Sequence, residues 1–453
     1  MAYEPENADG AEHLAELPNT PDETRKKFLL DAKAQLASQM FEVIDLDELD
    51  NLKGPEKEDE IAALLRTLIS ETSVPLNAAE TRQIIREITS DVLGLGPLEP
   101  LMERADITDI MVIAADQIYI ERKGRIENTN LRFRDTVQLV NICIRIANHV
   151  GRRVDQTNPI CDARLPDGSR VNIVFPPLAV RSPLLTIRKF FKRHVGLKDL
   201  IGFGSITSEV ASVLAIFASC KGNILISGGT GSGKTTLLNA LASEIEESER
   251  IVTVEDTLEI QLAQPHVCQL ETRPPNIEGL GEITQRDLVK NCLRMRPDRI
   301  LVGEVRGSEA FDMLQAMNTG HSGSISTLHA NSPRDALTRL EDMVALTGFN
   351  LPSNNVQKQT ASALDLIVQI ERLHDGSRKV TSLSEVVGMT DGVITLQELF
   401  YYEHLGEDES GNVVGELRSS RLRPKFTERA ARYNKDQALI AAVLGQEPGT
   451  NDR

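Results

Sequence analysis

Residues 228–235 read G-G-T-G-S-G-K-T, the complete pattern G-x-x-x-x-G-K-[ST], and this feature constrains the fold of the chain most tightly. The apolar run at residues 224–226 predicts a buried strand before it, and the residues from Thr236 onward are typical of a helix. A glycine-rich turn between a strand and a helix lets backbone N–H groups and the helix N-terminus surround a phosphate. The alternative is a glycine-rich turn with a solvated lysine. With this strand and helix around it, the pattern predicts a nucleoside triphosphate site in an α/β fold.

The residues of this P-loop have distinct chemical roles. The ammonium of Lys234 is expected to reach the β- and γ-phosphates, and the hydroxyl of Thr235 is expected to ligate Mg²⁺. The predicted nucleotide-binding residues are those of the loop and the first turn of the helix: Gly228, Gly229, Thr230, Gly231, Ser232, Gly233, Lys234, Thr235 and Thr236.

Two further predicted strands end in acidic residues, one at Glu255 and Asp256 and the other at Glu304. The carboxyl ends of parallel strands face the ligand, so we expect these acids to converge on the nucleotide. Glu304 and Glu255 are therefore candidates to orient or deprotonate the attacking water and to hold Mg²⁺, with Asp256 in support. The alternative is that they are exposed loop carboxylates. Gly303 stands where many P-loop ATPases place a magnesium-binding aspartate.

His329 and four arginines complete the candidate site. His329 ends an apolar strand and is a candidate sensor of the γ-phosphate, although a lone histidine at a strand end is more often structural. Arginines stabilise the charge of phosphoryl transfer, often from a neighbouring subunit. The candidates are Arg170 and Arg188, on strands of the preceding domain, and Arg294 and Arg296. For each arginine the alternative is a solvated surface charge or a salt bridge.

Changes of pattern along the chain predict its domain organisation. Residue periodicity indicates helices at 58–71 and 78–93, and then strands and one helix up to residue 191. Asn77 followed by Glu80 predicts a capping box at the start of the second helix. Alternating helices and strands follow from residue 206, with a last helix near residues 427–444. The predicted segments are a disordered acidic arm (1–19), a helical element (20–94), an α/β domain (95–191), a hinge linker (192–205), an ATPase domain (206–444) and a disordered tail (445–453).

Charge and cysteine usage restrict the partners and the compartment. Residues 1–60 contain 17 acidic and 6 basic residues, a net charge of −11, out of a formal −17 for the 453-residue chain. A nucleic-acid surface is usually basic, so the balance argues against direct nucleic-acid binding. The five cysteines form no C-x-x-C pair, which favours reduced thiols. No apolar run reaches about 18 residues, so we expect a cytoplasmic protein that contacts the membrane only through partners.

Several motifs in order resemble those of the secretion-superfamily ATPases, ring motors of pilus assembly and of type II or type IV secretion. The resemblance spans residues 92–373 and is greatest to the CpaF-type motors of tight-adherence (Flp-type) pili. It rests on residues 93–101, 165–170, 228–236, 253–256, 293–298, 303–306 and 326–331.

The resemblance implies a cytoplasmic Mg-dependent ATP hydrolase that works as a homohexamer on inner-membrane platform proteins of a pilus machine. Its fold would be a RecA-like motor domain preceded by a smaller PAS-like α/β domain, with ATP bound between them. It assigns Glu255 to the family's acidic box, Glu304 to its Walker B position and His329 to its histidine box, and it places Arg170 and Arg188 near the terminal phosphate. Gly303 is common at its position in this family. Residues 331–453 contain no cysteine, so the zinc-binding tetracysteine of the type II motors is not expected.

Three alternatives remain open from the sequence. The same chemistry suits a type IV secretion motor that moves protein or DNA. A scaffold that binds ATP and scarcely hydrolyses it is disfavoured by Lys234, Glu255 and Glu304. A DNA-binding ring of the recombinase kind is disfavoured by the acidic charge.

Overall fold

A computed structural model describes residues 21–43, 54–72, 74–122, 124–190, 195–275, 280–349 and 351–445. The predicted acidic arm, and the predicted tail beyond Gly445, lie outside the described residues. The chain divides into two compact units, Met1–Phe190 and Phe191–Arg453. None of the helices in the described part of the chain combines the length and the apolar character needed to cross a membrane.

Three helices open the first unit: α1 (Pro21–Val43), α2 (Gly54–Thr72) and α3 (Ala78–Leu93). Their apolar faces share a buried cluster that includes Leu36, Met40, Ile61, Leu65 and Ile88. The capping box predicted at the start of α3 is confirmed, because the Asn77 side chain accepts from the backbone of Glu80 while the Glu80 carboxylate accepts from the backbone of Asn77.

A six-stranded antiparallel sheet forms the rest of the first unit, in the order β3-β2-β1-β6-β5-β4. Alternate side chains of its strands enter one core, shared with helix α5. The strand Ile160–Arg164 was not expected from the sequence, because only Cys161 among its residues is fully buried. The elements are α4 (Glu99–Glu103), β1 (Ile107–Ala114), β2 (Gln117–Arg122), β3 (Arg125–Asn128), α5 (Thr136–His149), β4 (Ile160–Arg164), β5 (Arg170–Val174) and β6 (Leu184–Arg188).

The second unit begins with α6 (Leu197–Gly202), within the segment expected to be a hinge. Leu197 and Leu200 of this helix are buried in the core of the second unit. The prediction of a linker over residues 192–205 is therefore wrong from Leu197 onward, because apolar burial fixes these residues on the domain. Residues 192–194 lie outside the described ranges.

A nine-stranded mixed sheet forms the centre of the second unit, in the order β15-β14-β13-β12-β7-β11-β10-β8-β9. The six strands from β12 to β9 are parallel to one another, whereas successive strands from β12 to β15 are antiparallel. The first strands and helices are α7 (Ser208–Ser219), β7 (Ile224–Gly228), α8 (Lys234–Ala242), β8 (Ile251–Glu255), β9 (Val267–Glu271), α9 (Gln285–Cys292), β10 (Arg299–Val305), α10 (Glu309–Asn318) and β11 (Ile325–Leu328).

The remaining elements are α11 (Pro333–Ala345), α12 (Ser353–Ala363), β12 (Leu366–Arg372), β13 (Arg378–Thr390), β14 (Val393–Glu407), β15 (Val413–Ser419), α13 (Thr427–Ala430) and α14 (Asp436–Leu444). Helices cover both faces of the sheet and bury two apolar cores against it. The single helix expected near residues 427–444 is two helices, because Asn434 adopts a left-handed φ of 57° between them. The strand β9 was also not expected from the sequence.

Candidate nucleotide-binding site

The P-loop joins the end of β7 to the start of α8, as the sequence pattern predicts. Gly231 and Gly233 have φ values of 68° and 101°, a region that glycine enters without steric penalty. A Cβ on Gly228 would lie 2.2 Å from the carbonyl oxygen of Ile370 on the neighbouring strand, so only glycine fits there. The predicted nucleotide-binding residues 228–236 therefore form one loop and helix N-terminus of the kind that binds phosphate.

Lys234, His329 and Glu304 form a row of contacts beside this loop. The ammonium of Lys234 lies 3.0 Å from the carbonyl oxygens of both Gly228 and Gly229. It also lies 3.4 Å from Nδ1 of His329, which in turn lies 3.3 Å from Oε1 of Glu304. The other ring nitrogen of His329, Nε2, lies 3.1 Å from Oγ1 of Thr230. The structure thus brings together four of the residues that the sequence proposed for the site.

Glu304 lies next to the end of β10, with its carboxylate between two nitrogen groups. Nη2 of Arg306 donates to Oε2 of Glu304 at 2.6 Å, opposite the contact with His329. Burial opposes ionisation of Glu304, but the hydrogen bond and charge of Arg306, with a smaller effect of Lys234, hold its pKa below the usual value. A carboxylate that stays ionised at neutral pH can accept a proton or a hydrogen bond from water.

Glu255 is buried, and its carboxylate binds backbone N–H groups of the turn that follows β8. Its Oε2 accepts hydrogen bonds from the backbone N–H groups of Glu259 and Ile260, at 2.7 and 2.9 Å. Its Cγ lies 3.0 Å from the position that a Cβ would take on Gly303, so the side chain of Glu255 fills the space beside that glycine. In these contacts Glu255 orders the turn after β8, and the catalytic and metal roles expected from the sequence stay predictions.

Glu259, which no sequence pattern singled out, lies in the segment after β8, and its carboxylate contacts the start of α8. Its Oε2 accepts a hydrogen bond of 3.0 Å from the hydroxyl of Thr235, the residue expected to ligate Mg²⁺. The side chain of Asn239 further ties α8 to this segment by accepting from the backbone of Gln261 at 3.1 Å. The sequence signal that was available is the spacing E-D-x-x-E, in which a second glutamate follows Glu255 by four residues.

Arg294 and Arg296 lie away from the P-loop of their own chain. Both are exposed in the loop that precedes β10, whereas the P-loop follows β7. Because β7 and β10 belong to one set of parallel strands, the two loops lie at opposite edges of the sheet. Within one chain these arginines are therefore not part of the P-loop site, and a role on a neighbouring subunit stays a prediction.

Arg170 and Arg188 occupy paired positions on β5 and β6 of the first unit. Directly paired residues of antiparallel strands point to the same face of a sheet, so the two arginines lie side by side. Nε of Arg188 lies 3.7 Å from Oδ1 of Asp109 on β1, and its side chain is about half exposed.

The comparison with known proteins agrees with the motifs in the site. Residues 91–407 match the family model described as "Type II/IV secretion system protein". The chain belongs to this family. The matched region contains the P-loop, Glu304 and His329.

Individual relatives extend this finding. The chain is 36% identical over 282 residues to the conjugal transfer protein TrbB of Rhizobium radiobacter, and the aligned region covers 61% of this chain and 83% of TrbB. It is 30% identical over 331 residues to the type IV secretion system protein VirB11 of Bartonella henselae, covering 64% and 91%. Among solved structures, the VirB11 ATPase of the Brucella suis type IV secretion system, in complex with sulphate, is 29% identical, with a TM-score of 0.35 over 65% of this chain and 97% of that one. The two relatives found by sequence are thus named for conjugal transfer and for type IV secretion.

Proposed function

We propose that this chain is an ATP-hydrolysing motor that works as a hexameric ring and powers the assembly of a tight-adherence (Flp-type) pilus. The observation that carries the proposal is the row of Lys234, His329 and Glu304 beside the P-loop. Hydrolysis of a terminal phosphate needs a cation on the phosphates and a group that orients or deprotonates water, and this row supplies both. Membership in a family with secretion ATPases supports the same reaction.

Each residue of the row has a role in the proposed reaction. Lys234 binds the β- and γ-phosphates together with the loop N–H groups. Glu304 orients the attacking water and accepts its proton, and its lowered pKa keeps it ionised for this task. His329 contacts Thr230 of the loop as well as Glu304, so it is placed to report the presence of the γ-phosphate to the base.

The start of α8 fits a magnesium ion. The hydroxyl of Thr235 donates a hydrogen bond to Glu259, so the lone pairs of its oxygen stay available to a metal ion. Mg²⁺ in such sites takes few protein oxygen atoms alongside phosphates and water. We assign Thr235 as its direct ligand, with Glu259 and Glu304 as acceptors for water molecules. When bound, the ion would neutralise part of the negative charge on the phosphates.

The arginines are proposed to stabilise the terminal phosphate in the assembled ring. Arg170 and Arg188 present two guanidinium groups from paired positions of one sheet, which we take to be a PAS-like domain. Arg294 and Arg296 lie at the sheet edge away from the P-loop, and they are proposed to act only on a neighbouring subunit.

We propose that ATP hydrolysis is coupled to motion of the two units relative to each other. A motor closes on ATP and reopens after hydrolysis, and the boundary between the units near residue 191 is the proposed place of that motion. The second unit would be a RecA-like motor domain that passes this motion to inner-membrane platform proteins from the cytoplasm. No direct contact with nucleic acid or lipid is proposed.

A second candidate is a motor for protein or DNA export by type IV secretion. The observation that favours it is the similarity to TrbB and VirB11, whose names refer to conjugal transfer and to type IV secretion. Both candidates use the same site and the same reaction. They differ only in the machine that the motor drives.

Hydrolysis is tested with two variants of the row, assayed for ATP binding and for turnover with Mg²⁺. Glu304→Gln keeps the size of the side chain and removes the base, so ATP affinity should stay within about twofold while turnover falls at least about a hundredfold. Lys234→Ala should lose affinity as well. Wild-type protein that binds ATP without turnover would contradict the proposal and favour the scaffold.

Which machine the motor drives is tested in the source cell with an in-frame deletion of the gene, complemented by wild type or by Glu304→Gln. Surface pili should be absent from the deletion strain and restored only by wild type. The second candidate predicts instead that piliation is normal and that export or conjugation is lost. Normal pili in the deletion strain would therefore contradict the pilus assignment.

A further inference from the structure

The start of β13 lies against the P-loop through the side chain of Arg378. Nε of Arg378 donates a hydrogen bond of 2.9 Å to the carbonyl oxygen of Gly231. Its Cδ lies 3.4 Å from the position that a Cβ would take on Gly233. The arginine side chain therefore runs along the two loop glycines that have left-handed φ values.

A phosphate-binding loop directs its N–H groups at the anion, so its carbonyl oxygens need donors of their own. The carbonyl of Gly229 accepts from the hydroxyl of Ser232 at 2.9 Å and from Lys234 at 3.0 Å, and both donors belong to the loop segment itself. Gly231 accepts instead from Arg378, a charged donor on a different strand. Hydrogen bonds from charged donors are the stronger ones.

This contact fixes the direction of an N–H group as well as that of an oxygen. The peptide unit is planar and trans, so the carbonyl of Gly231 and the N–H of Ser232 point in opposite directions. Holding the oxygen toward Arg378 therefore directs the N–H of Ser232 to the other side of the peptide plane. In a P-loop that side is where successive N–H groups converge on phosphate.

We propose that Arg378 is a positioning residue for nucleotide binding, which acts by holding the peptide between Gly231 and Ser232 in its phosphate-binding orientation. The inference rests on the proposed function of this loop as a nucleotide site. Through Arg378, the antiparallel strands of the sheet contribute to nucleotide binding alongside the six parallel strands.

The next residue of the strand provides a matched control. Nζ of Lys379 donates to the carbonyl oxygen of Gly204 at 2.7 Å, in the segment after α6. Lys379→Met removes one positive charge from the same strand and leaves the contact between Arg378 and Gly231 in place. Arg378→Met removes that contact while keeping an unbranched apolar side chain.

The test is titration of the full-length variants with fluorescent ATP and ADP analogues, with the thermal midpoint measured on each sample. Arg378→Met should raise the Kd for both nucleotides about tenfold, because the loop binds phosphates that the two share. Arg378→Lys retains a charged donor and should recover part of the affinity. Lys379→Met should bind within about twofold of wild type although its thermal midpoint falls as much as that of Arg378→Met.

Each result has a separate meaning for the two proposals. If wild type binds nucleotide and Arg378→Met binds equally well, the positioning role is refuted and the nucleotide site stands. Equal losses of affinity in Arg378→Met and Lys379→Met also refute it, because they indicate a general effect on the strand. If Arg378→Met fails to fold, unchanged affinity in Arg378→Lys and in Arg378→Gln refutes the role. Absence of nucleotide binding by wild type would overturn the proposed function instead.

Discussion

The variant Arg299→Met is expected to destabilise the second unit by about 3–5 kcal/mol, the usual effect of removing one partner of a buried ion pair. Arg299 opens β10, and its side chain has no exposed surface. Nε and Nη2 each donate to the Glu249 carboxylate at 2.8 Å. Nη1 donates to the carbonyl oxygens of Ala218 and Gly323, at 2.9 and 3.1 Å. One side chain thus joins β10 to three other segments of the domain.

The expected magnitude follows from what Arg299→Met leaves behind. Methionine fills a similar length, so the effect of a cavity is small. The Glu249 carboxylate keeps only Lys221 as a charged partner in these contacts, at 3.1 Å, and two carbonyl oxygens lose a donor. Buried polar groups without partners account for most of the effect, because each costs about 1–3 kcal/mol. Removing both charges in the double variant Glu249→Met with Arg299→Met should recover at least about 1 kcal/mol of the loss.

The pH dependence of the same pair has a definite sign. Burial opposes the charge on Glu249, but Arg299, with a smaller effect of Lys221, holds its pKa below the ordinary value of 4.5. A lowered carboxyl pKa stabilises the fold above the unfolded value, and the contribution is lost as the pH falls through the lower folded value. The difference in stability between wild type and Arg299→Met should therefore be complete at neutral pH and decrease below about pH 4.5.

The assay is urea unfolding of the full chain followed by circular dichroism, with Arg418→Met as the control. Arg418 forms exposed ion pairs on β15, with a side chain 47% exposed, and its loss should leave the free energy of unfolding close to that of wild type. A loss below about 1 kcal/mol for Arg299→Met, or a double variant less stable than the single one, would contradict the role given to the pair of Arg299 and Glu249.

Three further predictions concern the site itself. Glu259→Gln weakens the acceptor for the Thr235 hydroxyl, so the Mg²⁺ concentration for half-maximal turnover should rise about tenfold or more in a magnesium titration. Arg306→Gln removes the main group that lowers the pKa of Glu304 and leaves burial to raise it, so the acid limb of the pH profile of kcat/KM should move to higher pH, by a modest amount because Arg306 is 63% exposed. Gly228→Ala places a Cβ 2.2 Å from the carbonyl oxygen of Ile370, so it should abolish binding of a fluorescent ATP analogue.

Each of these predictions has a contrary outcome. An unchanged magnesium requirement in Glu259→Gln would remove that residue from the metal site. An acid limb that stays in place or moves down in Arg306→Gln would show that Glu304 is not the group that titrates. Normal nucleotide affinity in Gly228→Ala would show that the close approach of β7 and β12 is not needed for binding.

Local patterns predicted the centre of the site because their information is contiguous in the chain. The P-loop lies within eight residues, and the flanking strand and helix follow from apolar periodicity. The closeness of Glu304 and His329 followed from a topological rule, since both end parallel strands and such ends share one edge of the sheet. The same rule places Arg294 and Arg296 at the other edge of their own sheet, because a loop that precedes a strand lies there.

Other features depend on contacts that no local pattern encodes. The direction of the Glu255 side chain is set by the turn that follows, whose N–H groups at Glu259 and Ile260 bind it. That same turn brings Glu259 to Thr235, across 24 residues of sequence. The strand Val267–Glu271 lies at the edge of the sheet and is only partly buried, so it lacks the apolar run that marks a central strand.

We propose that ATP hydrolysis requires an assembled ring with arginines of the first unit at the site. Turnover per subunit should be measured across protein concentration, with mass photometry on each sample, for wild type, Glu304→Gln and Arg188→Ala. Wild-type turnover should rise as hexamers appear. Both variants should assemble and bind ATP yet turn over more slowly, Arg188→Ala at least about tenfold and Glu304→Gln at least about a hundredfold. Full activity in wild-type monomers, or an Arg188→Ala ring as active as wild type, would overturn the ring model.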